Sequence, residues 1–129
     1  MAMTAAGMVV EAAAQVERVA PKDAFDELAA GKAVVLDVRE PVEWEQHIAG
    51  AVQVPCGLLE FAVDPTSPRH KAELDPAGRT IVYCRSGARA ALAALTLKTL
   101  GYENVANLDG GFAAWTEAGL PTDEHHADI

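Results

Sequence analysis

The chain has 129 residues, half of them hydrophobic and 22% charged, with a formal net charge of -9. That size supports one domain able to bury roughly two-thirds of its unfolded surface, so no disulfide or metal staple is required. The acidity excludes a broad basic footprint for nucleic acid or an anionic membrane, and no apolar run has the length of a membrane span.

Residues 1–16 are small and alanine-rich and are expected to form a flexible lead, either a frayed helix or a disordered segment. They lack the basic and apolar regions of a secretory signal. Cys56 and Cys84 are too few for a disulfide framework, so a cytoplasmic protein with reduced thiols is expected. Pro21 suits the first position of a helix running to Ala30, with Gly31 as its stop. Ala33 to Val38 is a nearly unbroken apolar run, the pattern of a parallel strand covered on both faces; similar runs recur at Ala51 to Val54, Thr80 to Tyr83 and Val105 to Leu108.

Between these runs lie helical candidates at Pro41 to Gln46, Gly57 to Val63, Gly87 to Leu100 and Gly111 to Ala118, and the alternation predicts an α/β fold. Asp64 to Gly78, with Pro65, Pro68 and Pro76, reads as a surface excursion within one domain. Residues 122–129 are expected to be a flexible tail. Its His125-His126 pair lacks further ligands at suitable spacing, so no metal site is expected.

Cys84 follows a buried strand directly and precedes a long helix. In parallel sheets ligands gather at the carboxyl ends of strands, and a helix N-terminus offers unpaired N–H groups; both favour an anion or a thiolate. Arg85 and Arg89 stand out against the acidic background as cations that would add to this field and hold an anionic donor. The amides of Arg85, Ser86, Gly87, Ala88 and Arg89 are placed to converge on the sulfur. Ser86 is read as a helix cap, and Gly87 as a tight turn where a side chain would block the inward-pointing amides. An inert buried thiol is the alternative for Cys84, and the arginine-rich loop weighs against it. Asp37 and Arg39 follow their strand at the same sheet edge, where they either touch substrate or form a structural pair. Trp44 and Trp115 read as core packing, and His47, a candidate general base, is not needed by a thiol that is already ionised.

The loop Cys84-Arg85-Ser86-Gly87-Ala88-Arg89 resembles the active-site loop of single-domain rhodaneses, thiosulfate sulfurtransferases and their relatives. Asp37-Val38-Arg39-Glu40-Pro41 with Trp44 and Glu45, then His47-Ile48-Ala49-Gly50-Ala51, resembles that family's early signature. Asp109-Gly110-Gly111-Phe112, Trp115 and Ala118-Gly119-Leu120-Pro121 resembles its closing one. The resemblance implies a rhodanese-like domain over residues 17–121, with a central, mostly parallel sheet of about five strands and helices on both faces.

It also implies a reaction. Cys84 would take sulfur from a small anionic donor such as thiosulfate and hold it as a persulfide. Cyanide or a thiol, including a protein thiol, would then remove it, without metal or organic cofactor and in a monomer. Phosphatases and arsenate reductases of related fold carry a loop one residue longer between cysteine and arginine, which favours sulfur here. A rhodanese-like sulfur-carrier, sensing or interaction module is the alternative, and retention of Cys84 counts against it. Cys56 stands where a close subgroup has arginine. It reads as a partly buried thiol at the site edge; a reversible bridge to Cys84 would need Cα atoms within about 7 Å.

Overall fold

The structure, a computed structural model, describes residues 2–124. In chain order its elements are α1 (Ala5–Ala13), β1 (Glu17–Val19), α2 (Pro21–Ala29), β2 (Val34–Asp37), β3 (Gln46–Ile48), β4 (Val52–Gln53), α3 (Leu59–Val63), β5 (Arg79–Tyr83), α4 (Ala88–Thr99), β6 (Asn104–Leu108), α5 (Gly111–Glu117) and β7 (Thr122–Glu124). Single 3-10 turns occupy Pro41–Glu43 and Cys56–Leu58.

The apolar runs form the expected parallel sheet, in the order β1-β6-β5-β2-β4. β2 and β5 sit inside it, which is why their residues are apolar on both sides. Alternation along each strand divides the core into two clusters. Leu36, Val38, Val82 and Cys84 face Ala90, Ala94 and Leu97 of α4 and Leu59 and Val63 of α3. Val35, Ile81 and Tyr83 face Ala24 of α2 and Trp115 of α5. Helices therefore cover both faces of the five-stranded sheet, as expected of a rhodanese-like fold. None of the described helices is long and apolar enough to cross a membrane.

Three expectations need correction. The lead is not flexible throughout: α1 is capped by Thr4, whose Oγ1 accepts from the Gly7 N–H at 2.9 Å, and it packs on α4 with Ala12 fully buried. The small residues that made this segment hard to read allow the two alanine-rich helices to approach closely, and alanine has the highest helix propensity. Second, the helix expected over Pro41 to Gln46 shortens to one 3-10 turn, because the chain enters β3 at Gln46. Third, residues 122–124 of the expected tail are ordered as β7, which pairs antiparallel with β3. His125 and His126 lie outside the described residues.

Candidate active site

Cys84 directly follows β5 at the carboxyl edge of the sheet and is only 1% exposed, so its sulfur lies at the base of the loop. The Gly87 N–H points at Sγ from 3.1 Å and the Ala90 N–H from 3.4 Å. These two amides are a turn apart at the start of α4, among the donors that a helix end leaves without intrahelical partners. Gly87 is the N-cap, at φ 125, and no side chain caps this helix. Ser86 is thus exposed and does not cap, contrary to the sequence reading. Gly87 is needed for its positive φ; a Cβ there would meet nothing within 4 Å, so blockage of the amides is not the reason for glycine. Ala90 lies beyond the expected loop: the sequence places the helix start at Gly87 but does not show which of its first amides faces the sulfur.

The first turn of α5 aims the loop's carbonyls away from the sulfur. The Phe112 N–H donates to the Cys84 carbonyl at 2.8 Å, and the Ala113 N–H to the Arg85 carbonyl at 3.0 Å. Of the five loop amides expected to converge on Sγ, Gly87 alone hydrogen-bonds to it among the described residues, joined by Ala90 from the helix. Asn107 of β6 adds a bond from Nδ2 to the Gly87 carbonyl at 3.2 Å. The two-residue alternation that places Val105 on the α4 side also brings Asn107 there.

Asp37 and Arg39 meet as a buried structural pair. Arg39 donates to Asp37 from its backbone N–H, from Nε and, at 2.8 Å, from Nη2; the Tyr83 hydroxyl donates to Asp37 Oδ2 at 2.6 Å. Burial, and next the Asp37 charge, push the Tyr83 phenol far up, so it remains a proton donor. The Arg39 guanidinium also donates to the Gln46 carbonyl and lies 4.5 Å from the centre of the Phe112 ring. Asp37 therefore braces Arg39, Arg39 lies over Phe112, and Phe112 holds the Cys84 carbonyl. His47 sits on β3 with Nδ1 3.0 Å from the Trp44 carbonyl, and the Trp115 indole donates to the Pro121 carbonyl.

The two loop arginines have different surroundings. Arg89 is bidentate on Glu43, at 2.7 and 3.0 Å, across 46 residues of sequence, so it is not the free anion-holding cation the sequence suggested. Arg89 holds the Glu43 carboxyl down to about 2, against burial and with help from the Glu40 N–H. Arg85 is exposed, makes no ion pair among the described residues, and lines a cavity of about 890 Å³ with Arg39, Glu43 and Glu117. Because Glu43 titrates lower in the folded chain than its ordinary 4.5, its pair stabilises fully above that pH and weakens as pH falls towards 2. Glu43→Gln keeps a side-chain acceptor for the Glu40 N–H and removes the charge. The melting-temperature gap between wild type and variant should narrow over that acid range, with solvent screening holding the pair to about 1 kcal/mol or less.

Cys56 opens the 3-10 turn after β4 and is half-buried against the cluster that contains Cys84. Burial raises its pKa, while Arg89 acts in the opposite direction. Both cysteines are free thiols. β2 lies between β4 and β5, which puts those strands roughly 10 Å apart. That spacing exceeds the usual reach of a disulfide, so a bridge would require the Cys56 turn to fold over the end of β2.

A family model described as a rhodanese-like domain matches residues 20–118. The probable adenylyltransferase/sulfurtransferase MoeZ of Mycobacterium tuberculosis is 33% identical over 120 residues; the match covers 89% of this chain but only 29% of that protein. A sulfurtransferase of Allochromatium vinosum is 37% identical over 89 residues, covering 68% of this chain and 76% of the relative. The solved structure of RPA3614 from Rhodopseudomonas palustris, described as a protein of unknown function and possible tyrosine phosphatase, has a TM-score of 0.86 at 34% identity and covers 95% of this chain and 96% of its own.

Proposed function

This chain belongs to the rhodanese-like domain family, and from that membership we propose that Cys84 carries sulfane sulfur as a persulfide, taking it from thiosulfate or a similar anionic donor and giving it to cyanide or a thiol. The observation that carries this reading is the Cys84 Sγ at the base of its loop with the Gly87 and Ala90 amides directed at it. Two N–H donors suit a sulfur that bears negative charge as a thiolate and again as a leaving group.

In the first step the Cys84 thiolate attacks the outer sulfur of thiosulfate. A new sulfur–sulfur bond forms, the donor's own sulfur–sulfur bond breaks, and its electron pair leaves with sulfite. In the second step the acceptor attacks the outer persulfide sulfur, and the electrons of the broken bond return to Cys84. The electrons balance without a metal or organic cofactor. Arg85 is the loop cation available to a donor anion, since Glu43 occupies Arg89. A monomer in a reducing cytoplasm, where two free thiols persist, suits this chemistry.

Thiocyanate formation from thiosulfate and cyanide tests the proposal. Wild type should turn over and Cys84→Ser should fall to the uncatalysed rate; a variant that retains turnover would remove Cys84 from the mechanism. The description of RPA3614 as a possible tyrosine phosphatase makes a phosphatase the second reading. Hydrolysis of p-nitrophenyl phosphate at a rate comparable to sulfur transfer would favour it, whereas the four residues between Cys84 and Arg89 favour sulfur.

A further inference from the structure

A second depression lies at the β4 edge of the sheet. It is a groove of about 580 Å³ whose apolar wall includes Trp44, Leu58 and Phe61, the latter two 47% and 55% exposed. Gln53, at the end of β4, forms part of the same wall.

The charges on the groove have one sign. Arg69 and Lys71 line it, and neither forms an ion pair among the described residues, in a chain of net charge -9. Three of the eight other cations are held by carboxylates at buried or part-buried positions: Arg39 by Asp37, Arg79 by Glu17 and Glu27, and Arg89 by Glu43. β4 is an edge strand, so an extended chain can lie alongside it. Leu58 ends the turn that begins at Cys56, and Cys56 packs on the core cluster that contains Cys84. Val54 and Pro55, which follow β4, also line the groove, so it lies at the carboxyl ends of the strands, as Cys84 does, with β2 between them.

We propose that this groove docks an extended acidic segment of a protein sulfur acceptor along the β4 edge, with an aliphatic or aromatic side chain against Leu58 and Phe61 and carboxylates on Arg69 and Lys71. The inference rests on sulfur transfer at Cys84 and adds the class of acceptor. A polypeptide meets the three features at once: an extended backbone for the edge strand, an apolar side chain for the wall and negative charge for the cations.

Two synthetic hexapeptides test it, each with one cysteine and one leucine, one carrying aspartates and the other lysines at the same positions. After Cys84 is loaded from thiosulfate, mass spectrometry follows sulfur to the peptide thiol. The acidic peptide should accept about tenfold faster, and the double variant Arg69→Glu, Lys71→Glu should abolish that preference while cyanide-dependent turnover stays unchanged. Equal acceptance by wild type, a preference that survives the double variant, or binding to anionic phospholipid vesicles with no peptide preference would each overturn the proposal. If Cys84 cannot be loaded at all, the sulfur-transfer reading fails instead. The groove is then judged by calorimetric binding of the acidic peptide with serine in place of cysteine: binding lost in the double variant supports docking, and no binding by wild type overturns it.

Discussion

Gly111→Ala is expected to lower the melting temperature by about 10 °C or more and to abolish sulfur loading. A Cβ at this position would stand 2.6 Å from the Arg85 carbonyl oxygen and 2.7 Å from that of Cys84. Both are backbone atoms held by the α5 amides, so they cannot retreat without releasing the loop that aims its N–H groups at Sγ. Alanine at φ 60 adds strain of about 1–2 kcal/mol, and forced overpacking typically adds about 1–3 kcal/mol. Gly119→Ala is the control: it has a similar φ of 72 and no atom within 4 Å of a Cβ, so it should suffer only the smaller, conformational loss. Equal behaviour of the two variants in thermal melts and loading assays would remove the α5 contact from the account of the site.

Asp37→Asn should be the other severe change. The carboxylate is fully buried, and it accepts from Arg39 and Tyr83 on both oxygens. Asparagine fits the space but leaves the Arg39 guanidinium, itself 4% exposed as a residue, without its counter-charge. Loss of one partner of a buried pair costs about 3–5 kcal/mol, a large share of a typical domain's stability. Tyr83→Phe removes one hydroxyl that donates to Asp37 and accepts from the Ile48 N–H, and should cost about 1–3 kcal/mol. Urea midpoints should therefore order wild type, Tyr83→Phe, Asp37→Asn from most to least stable. Because Arg39 lies over Phe112, the same order should hold for the rate of sulfur loading.

What could be read from the sequence follows from how local each signal is. The buried strands are nearly continuous apolar runs, so four of the five strands of the main sheet, and with them the position of Cys84, were legible from short segments. β1 is only three residues long with one buried position, and α1 consists of small residues whose pairing with α4 is a tertiary event. The β3–β7 pair joins Gln46 to Glu124 and has no local pattern. The same division runs through the site. Cys84 and the need for a glycine at 87 showed in a six-residue motif, and the Asp37–Arg39 pair was one of two readings for adjacent charges. The Glu43–Arg89 bond, Asn107 on Gly87 and the α5 amides on the loop carbonyls all cross long stretches of sequence. Ser86 was read as the cap because serine is a common capping residue, whereas the Gly87 backbone, at a φ that serine rarely adopts, begins the helix.

The most direct measurement is the intact mass of the protein after incubation with thiosulfate and removal of excess donor, followed by peptide mapping under non-reducing conditions. Persulfide carriage at Cys84 predicts a gain of one sulfur atom, located on the peptide that contains Cys84 and removed by cyanide, with no gain in Cys84→Ser. An unchanged mass in active, folded wild type, or sulfur located on Cys56 and retained in Cys84→Ser, would contradict it.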